Sequence, residues 1–460
     1  MNFLKKIFSP VCLIVSISIL IYVIYVSSLE YLFDKSDYYS SYYLISFILI
    51  ILSILTFFIN QTLKEYTIII VISSLLSIYL FEGYLIYKEQ LLKKDSLKEK
   101  LKREQLYKDQ TGIDYDTRTK LEIYDDLKKI NDQVVLFVGP TPLHKYKDES
   151  LYSLSGISKS ETIYCKENGY YSFYQSDRYG FNNPDEEWDK KEIEYLLVGD
   201  SHTHGACVNR PHDITSVLRT LSNKSALNLG MGGNGPILHY ATLREYLNSN
   251  VKKVLWIYFE NDLEDLIKEM TPDYKLINNY INDPNFTQNL KFKQHLIDDL
   301  AIKLLGAVRE KKIRSLTIDK KTETRKIIKY IKMDNVRHLL FPEPKKAIPV
   351  TEFEKILTLA KDLVNKNNSE LFFAYLPTYY RYKYTDGANK NWNTNYDSVQ
   401  NYNLVKDIVN KLEIPFIDIH KEVFEKEPNP LKLYSFEIEN HYTIEGYKKV
   451  AETIYKHTKN

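Results

Sequence analysis

The residues best suited to do chemistry in this sequence are a serine and a late histidine. Ser201 ends the run Gly199-Asp200-Ser201, which directly follows the apolar, strand-like stretch 195–198. A serine hydroxyl becomes a good nucleophile only when a base takes its proton, and histidine titrates in the right range. His441 lies in a loop just before a predicted C-terminal helix. This pair could cleave an ester through an acyl-serine intermediate.

Two more residues could stabilise the oxyanion that forms during such a reaction. Gly233 lies in a glycine-rich turn after the predicted strand 226–229, and Asn261 follows the predicted strand 254–259. The backbone N–H of a glycine turn can approach a ligand closely, and a carboxamide can donate a hydrogen bond. Taken singly, either residue could simply shape a turn or cap a helix. Their order with the serine and the histidine favours the catalytic interpretation.

Strands and helices alternate around these residues. The predicted strands are 194–198, 226–229, 254–259, 371–376 and 416–419, and the predicted helices are 214–221, 237–247 and 445–455. Such alternation predicts an α/β fold, a three-layer α/β/α sandwich whose sheet is mostly parallel and covered on both faces. In open sheets of this kind, ligands bind at the carboxyl ends of the strands, where the candidate residues lie.

The ordered set of Gly-Asp-Ser at 199–201, a glycine turn at 230–236, Asn261 and the late His441 resembles the SGNH (GDSL-type) hydrolase superfamily. The flanking stretches 177–184 and 228–236 also resemble the membrane-tethered bacterial members of that superfamily. The resemblance covers about residue 176 to the C-terminus. It implies an SGNH/flavodoxin-like fold and a site without a cofactor. Members include carbohydrate O-acetylesterases, polysaccharide acyltransferases, lipases and thioesterases, so the resemblance does not name a substrate.

The resemblance also implies residue roles. Ser201 would be the nucleophile and His441 the base, while the N–H groups of Ser201 and Gly233 and the Asn261 amide would form the oxyanion hole.

The acid that should orient the histidine departs from the superfamily pattern. Its usual position, three residues before His441, holds Ile438. Glu439 is the preferred candidate for the acid, and Glu437 is the alternative. If neither reaches the ring, a Ser–His dyad oriented by a backbone carbonyl remains.

Composition narrows the choice of partners. A net charge of +2 does not favour nucleic acid, and no Cys-x-x-Cys occurs among the three cysteines. His202 and His204 form a His-x-His pair, but no cluster of further ligands follows, so no metal site is predicted. Cys165 and Cys207 are interpreted as two buried free thiols, with a disulfide in an oxidising compartment as the alternative.

Three apolar runs, 8–28, 43–60 and 66–87, begin the chain. Each has about 20 residues, enough to span a hydrocarbon core of about 30 Å. Three transmembrane helices are therefore predicted, with Glu82 near an interface rather than at the midplane. A functional intramembrane carboxylate is the alternative for Glu82.

The charged residues that flank these runs give opposite predictions for the orientation of the chain in the membrane. Lys5 and Lys6 place the N-terminus in the cytoplasm and, after three crossings, the C-terminal domain outside. The basic run 88–103 favours the opposite side. We expect a bacterial cytoplasmic (inner) membrane protein with an extracytoplasmic catalytic domain, and a cytoplasmic lipid- or thioester-cleaving enzyme is the alternative.

The sequence therefore predicts that the chain has four parts. They are a three-span anchor at 1–88, a charged helical linker at 89–110, a collar at 111–188, and an SGNH hydrolase-like catalytic domain at 189–460 with a helical insertion at about 264–337.

The expected function is that of a membrane-anchored serine esterase or O-acyltransferase that acts on an acylated, most simply O-acetylated, cell-surface glycan or another ester. A catalytically silent scaffold or glycan-binding module with the same fold, or a lipase or thioesterase, are the alternatives. The sequence leaves protein partners and oligomeric state open.

Overall fold

The computed structural model describes residues 2–29, 36–140, 151–316, 327–342, 347–383, 401–438 and 441–459. The chain forms two compact units. The first comprises Met1–Lys100 and Ile313–Lys346, and the second comprises Leu101–Lys312 and Ala347–Asn460. The second unit is therefore interrupted in sequence by a segment that belongs to the first. The four-part division above remains a prediction.

The described helices and strands have the following bounds. The helices are α1 (Asn2–Leu29), α2 (Ser36–Leu55), α3 (Gln61–Thr111), α4 (Lys120–Lys128), α5 (Ser201–His204), α6 (Ile214–Ser222), α7 (Pro236–Tyr246), α8 (Asp262–Glu269), α9 (Lys275–Asn282), α10 (Gln294–Leu316), α11 (Asp334–Leu340), α12 (Val350–Lys366), α13 (Tyr402–Lys411) and α14 (Ile444–Thr458). The strands are β1 (Val134–Leu136), β2 (Glu161–Ile163), β3 (Phe173–Gln175), β4 (Ile193–Val198), β5 (Ala226–Asn228), β6 (Val251–Phe259), β7 (Glu370–Leu376) and β8 (Phe416–Asp418). Single 3-10 turns lie at Asp185–Asp189, Pro272–Tyr274, Leu290–Phe292, Tyr379–Arg381, Pro430–Leu433 and Ser435–Glu437, and a π-helical turn lies at His420–Phe424.

In the first unit, α1, α2 and the first part of α3 are long and apolar enough to cross a membrane, over Phe3–Ser28, Tyr38–Leu55 and Gln61–Leu91. These helices match the three predicted spans. Serine hydroxyls join α1 to α2, since Ser16 Oγ lies 2.9 Å from Ser53 Oγ. Small polar residues of this kind let helices approach closely within a bilayer. The helix predicted for the charged linker is the continuation of α3.

The second unit contains a five-stranded sheet in the order β5-β4-β6-β7-β8, and every neighbouring pair is parallel. In chain order this is 2-1-3-4-5, the flavodoxin-like arrangement, so the predicted α/β fold with a mostly parallel sheet is confirmed.

Alternate residues of β4 enter two separate cores. Leu196 and Val198 pack in one core with residues of α7 and α12, and Tyr195 and Leu197 pack in the other with residues of α6 and α14. Because successive strand side chains point to opposite faces, helices cover the sheet on both sides.

A smaller sheet precedes the main one. Its strands lie in the order β1-β2-β3, with β1 and β2 parallel and β2 and β3 antiparallel. The loop between β2 and β3 carries residues 164–172. Asn183 links the polypeptide after β3 to the main sheet, since its Nδ2 donates to the Asn228 carbonyl at 2.9 Å.

The connections of the main sheet create one crevice. After β4 the chain moves to β5 on one side, and after β5 it crosses to β6 on the other side. Ligands of doubly wound folds bind at such a switch point, outside the carboxyl end of the strand where the order reverses. The residue that follows β4 and opens α5 is Ser201.

Candidate active site

Ser201 stands on a tight strand-to-helix turn. The Asp200 carboxylate caps α5 by accepting a hydrogen bond from the backbone N–H of His202 at 2.8 Å. The turn requires glycine at position 199, because a Cβ there would lie 2.0 Å from Thr203 Oγ1. The local sequence therefore presents the serine hydroxyl at the carboxyl edge of the sheet.

The loop before α14 brings His441 to this serine. His441 Nε2 lies 2.8 Å from Ser201 Oγ, within hydrogen-bond distance, although 240 positions separate the two residues. The neighbouring Tyr442 fixes the loop, since its fully buried side chain donates a hydrogen bond to the Pro377 carbonyl at 2.6 Å. The structure thus brings together the predicted nucleophile and the predicted base.

The other side of the imidazole contacts a carboxylate that sequence reasoning missed. Glu167 Oε2 lies 2.8 Å from His441 Nδ1 and accepts the backbone N–H of the same histidine at 2.6 Å. Glu167 belongs to the loop between β2 and β3, 274 positions before the histidine. The predicted acid, Glu439, lies outside the described residues. The imidazole of His441 therefore contacts a carboxylate through Nδ1 and a serine hydroxyl through Nε2. This is the geometry of a Ser–His–acid triad.

A disulfide ties the Glu167 loop to the polypeptide that follows the serine. Cys165 and Cys207 are bonded to each other, so the preference for two free thiols is wrong. The spacing of the two cysteines in the sequence does not predict that they lie close together, because the loop between β2 and β3 has no periodic hydrophobic pattern. The adjacent Asn168 adds a second link, because its side chain donates a hydrogen bond to the Cys207 carbonyl at 2.8 Å. Asn168 also accepts a hydrogen bond from the Oγ of Ser435, six residues before His441.

The Glu167–His441 contact changes the pKa values of both groups. Burial by itself lowers the pKa of His441, but the neighbouring Glu167 carboxylate outweighs this effect and raises the pKa above 6.5. Burial likewise raises the pKa of Glu167, yet the histidine lowers it below its ordinary value. The carboxylate therefore stabilises the imidazolium form that a base produces when it accepts a proton.

The two predicted oxyanion donors lie at the ends of the strands that flank β4. Gly233 follows β5, is exposed, and has a φ of +84° with no heavy atom near the position of a Cβ. Asn261 follows β6 as the N-cap residue of α8. Glu269 holds the glycine turn, because the oxygens of its carboxyl group accept hydrogen bonds from the N–H groups of Gly235 at 2.6 Å and Ile237 at 2.8 Å. Burial raises the pKa of Glu269 to about 8.

A buried ion pair holds the end of β6 beside β7. Glu260, next to Asn261, accepts hydrogen bonds from Arg381 Nε at 2.6 Å and from the Thr378 backbone N–H at 2.8 Å. A third partner of the Glu260 carboxylate is Tyr375, whose hydroxyl donates a hydrogen bond to it at 2.7 Å. Because a buried carboxylate needs such partners, this network fixes the backbone that carries the predicted oxyanion donor.

The His-x-His residues are buried beneath the serine turn. His202 stacks on Phe259 with ring centroids 3.8 Å apart, and His204 Nδ1 lies 3.1 Å from the Gly230 carbonyl oxygen. Burial lowers the pKa of His204 to about 4, so this ring is neutral.

One group of potential metal ligands occurs among the described residues, formed by Glu167, Cys207 and His441. The sulfur of Cys207 is bonded in the disulfide and is not a thiolate. The other two groups face each other, so this cluster belongs to the triad-like arrangement.

No protein-family model and no curated protein matches the chain. Solved structures similar to 57–58% of the chain include an acetyl xylan esterase (12% identity, TM-score 0.33, 99% of that chain covered). They also include a member of the lipolytic protein G-D-S-L family from Veillonella parvula DSM 2008 (11% identity, TM-score 0.31, 97% covered) and a carbohydrate acetylesterase family member from Sinorhizobium meliloti (10% identity over 58% of the chain, TM-score 0.30, 97% covered).

The resemblance of this chain to the SGNH superfamily rests on two features of its own. These are the order of its four motifs and the flavodoxin-like parallel sheet, at whose carboxyl edge those motifs lie.

Proposed function

We propose that this chain is a membrane-anchored serine esterase or O-acyltransferase that acts on an acylated, most simply O-acetylated, cell-surface glycan. The observation that carries the proposal is the hydrogen-bonded series Ser201–His441–Glu167, with both contacts to the histidine ring at 2.8 Å. Such a series activates a serine hydroxyl that is otherwise a weak nucleophile.

In the proposed reaction, Ser201 Oγ attacks the ester carbonyl carbon while His441 Nε2 takes the hydroxyl proton. Glu167 remains ionised and stabilises the imidazolium. The N–H groups of Ser201 and Gly233 and the Asn261 amide stabilise the oxyanion. When the tetrahedral intermediate collapses, the C–O bond to the sugar breaks, and the leaving alkoxide takes the proton from His441. An acyl group remains on Ser201.

The second half of the reaction reverses the proton transfers. His441 takes a proton from water or from the hydroxyl of a second sugar, and that oxygen attacks the acyl-serine. Water gives a free carboxylic acid and therefore hydrolysis, whereas a sugar hydroxyl gives acyl transfer. In both cases Ser201 regains its proton, so the enzyme returns to its starting state without a cofactor.

The contact of Glu167 supports an enzyme over a silent scaffold. The scaffold interpretation depended on Ile438, which occupies the usual position of the acid. A carboxylate from the loop after β2 now fills the same chemical role at His441 Nδ1. A lipase or thioesterase would use the same residues and remains the alternative substrate class.

Two features support an extracytoplasmic catalytic domain. Lys5 and Lys6 precede the first span, which favours a cytoplasmic N-terminus and an odd number of crossings before the catalytic unit. The disulfide between Cys165 and Cys207 fits an oxidising compartment, because thiols are kept reduced in the cytosol.

The experiment is an esterase assay on the full chain purified in detergent. We expect release of acetate from an activated aryl acetate and its loss in Ser201→Ala, with Ser222→Ala at the end of α6 as the matched control. Acetylated oligosaccharides, long-chain acyl esters and acyl thioesters, supplied with and without an acceptor sugar, then distinguish the substrate classes. Absence of activity, or activity that survives Ser201→Ala, would overturn the proposal.

A further inference from the structure

Residues 327–341 interrupt the second unit in sequence but belong to the first unit. This segment, which we call the return segment, contains helical residues 327–331, a turn at 332–333, and α11. It lies in the insertion for which the sequence predicted helices but no role.

The return segment is anchored to the third apolar helix by a buried carboxylate. The side chain of Glu82 on α3 is fully buried. Its Oε1 accepts hydrogen bonds from the backbone N–H and the side-chain Nδ2 of Asn335 at 3.2 and 3.1 Å, and its Oε2 accepts the N–H of Val336 at 2.9 Å. One turn earlier, Tyr79 Oη donates to the Ile331 carbonyl at 3.1 Å. Within an apolar helix, a carboxylate needs such partners, and the return segment supplies them.

The same segment also touches the other two apolar helices. Lys332 Nζ donates to the Tyr22 hydroxyl of α1 at 3.0 Å, and the Phe341 ring lies 5.1 Å from the Tyr42 ring of α2. All three candidate spans therefore hold the return segment.

These contacts lie at one level of the helix bundle. Contacts between Ser9 and Thr56 and between Ser27 and Tyr43 show that α1 and α2 are antiparallel. The ion pair of Lys5 with Glu65 places the beginnings of α1 and α3 together. The C-terminal end of α1 and the end of the apolar part of α3, Gln61–Leu91, therefore lie on the same side of the bundle as the N-terminal end of α2.

The depth of the contacts follows from the helical rise. Counted from the ends of the candidate spans at Ser28, Tyr38 and Leu91, Tyr22 and Tyr42 lie about 9 and 6 Å inside and Glu82 lies about 14 Å inside, at about 1.5 Å per residue. The headgroup–acyl boundary, where interfacial helices bury their apolar faces by about 5–10 Å, covers the depths of Tyr22 and Tyr42, and Glu82 lies somewhat deeper.

The exposed side chains of the return segment are mostly apolar, with Lys329, Lys332 and His338 among them. Ile327, Ile331, Leu339 and Leu340 are 58%, 59%, 60% and 63% exposed. Basic side chains, such as that of Lys332, can keep their charge at the headgroups while their stems lie along the apolar surface.

We infer that the return segment is embedded in the lipid leaflet on the side where the third span ends, with these apolar residues in contact with the acyl chains near the headgroups. The partner is the lipid itself. The two described helices of this segment, 327–331 and α11, are each much shorter than the roughly 20 residues needed for a span, so they lie within one leaflet. The inference rests on the membrane anchoring proposed above.

Fluorescence quenching on the full chain in liposomes tests the inference. An environment-sensitive dye is attached to Leu340→Cys in a Cys12→Ser background without reductant, because the other two cysteines form the disulfide. Ile70→Cys, 62% exposed in the middle of the third span, is the lipid control, and Ile130→Cys, 82% exposed in the second unit, is the water control. The quenchers are aqueous iodide and phospholipids with a doxyl group either near the headgroup or deep in the acyl chain.

We expect a dye at 340 to be quenched several-fold more by the shallow doxyl lipid than by iodide, a dye at 70 to be quenched most by the deep doxyl lipid, and a dye at 130 to be quenched by iodide. Adding Glu82→Ala should raise iodide quenching at 340 and leave quenching at 70 unchanged. If 340 behaves like 130 while 70 reports lipid, the inference fails and the membrane anchor stands. If 70 also reports water, the anchor itself fails.

Discussion

At the scale of single residues, the contact between Glu167 and His441 sets the basicity of the proposed catalytic base. Only a neutral imidazole can take the proton from Ser201. The pKa of His441 is raised above 6.5, so the fraction of neutral ring falls as the pH drops through that raised value. Activity should therefore decline on the acidic side at a higher pH than an ordinary histidine would give.

Replacing the carboxylate tests this account. In Glu167→Gln, burial still lowers the pKa of His441, but the opposing charge is gone, so the acidic limb of the kcat/KM–pH profile should move to lower pH. The plateau should fall roughly 10²- to 10⁴-fold, because the imidazolium loses its stabilising partner. A pH–rate profile on an activated acetate ester measures both effects.

Glu439→Gln is the competing variant. If Glu167 orients the ring, this substitution should leave the acidic limb where it is and change kcat/KM by less than about threefold, because the carboxylate that contacts the imidazole is kept. A large loss in Glu439→Gln together with a small one in Glu167→Gln would instead favour the acid predicted from the sequence.

The glycine turn offers a second test at this scale. In Gly233→Ala the new Cβ meets no neighbour, but the φ of +84° is costly for alanine by about 1–2 kcal/mol. If Gly233 is an oxyanion donor as proposed, we expect the turn to shift and kcat to fall about tenfold or more, because the shift moves its N–H group. Gly306→Ala in the exposed part of α10, which also has open space around its Cβ, is the control and should leave kcat unchanged. An unchanged kcat in Gly233→Ala would remove this residue from the oxyanion hole.

At the scale of elements, the site depends on a link between two sheets. Ser201 opens α5 after β4 and His441 lies before α14, whereas Glu167 comes from the loop after β2 of the small sheet. The disulfide of Cys165 with Cys207 joins the Glu167 loop to the polypeptide that follows α5, over a separation of 42 residues.

Removing this link should affect both stability and catalysis. In the double variant Cys165→Ser/Cys207→Ser, chain entropy predicts a loss of up to about 4 kcal/mol in the free energy of unfolding for a loop of this length. The Glu167 loop should also become less fixed, so kcat/KM should fall and the acidic limb should move as in Glu167→Gln. Thermal inactivation midpoints and pH profiles measure the two effects.

Cys12→Ser is the matched control for that pair, since Cys12 is a free cysteine in α1. It should change neither the inactivation midpoint nor the pH profile. Equal midpoints and equal activity in the double variant would show that the disulfide does not position the acid.

The sequence predicted the main sheet well because four of its five buried strands are apolar runs that end at or within two residues of a glycine, an asparagine or a proline. These ends locate Ser201, Gly233 and Asn261, and parallel strands must bring their carboxyl ends to one edge. The late histidine was predictable from its place before the terminal helix.

Glu167 was not predictable in the same way. It lies in an irregular loop far from the histidine in sequence, and only tertiary packing brings it there. One signal was present: Cys165 is two residues before it, and Cys207 is six residues after Ser201. Pairing these cysteines would have placed a carboxylate close to the serine.

At the scale of the whole molecule, the chain divides into a unit with three apolar helices and an α/β unit. Long apolar helices are visible in the sequence because about 20 consecutive apolar residues are rarely anything else. The return segment was missed because it is too short for a span, and its partner Glu82 is distant in sequence.

Sidedness gives a prediction at this scale. With three crossings and a cytoplasmic N-terminus, an epitope placed after Asn460 should be removed by protease added to intact spheroplasts, whereas an N-terminal epitope should be lost only after permeabilisation. Immunoblots of the two ends measure this. Loss of the N-terminal epitope with protection of the C-terminal one would place the catalytic unit in the cytoplasm.

The most direct measurement of the central claim is labelling of the full chain with a fluorophosphonate, which reacts much faster with an activated serine than with an ordinary one. Peptide mass spectrometry should find the adduct on Ser201, and His441→Ala should reduce the labelling rate by at least about 10²-fold, because the base that removes the hydroxyl proton is gone. A chain that is not labelled, or that is labelled equally well without the histidine, would contradict the proposed site.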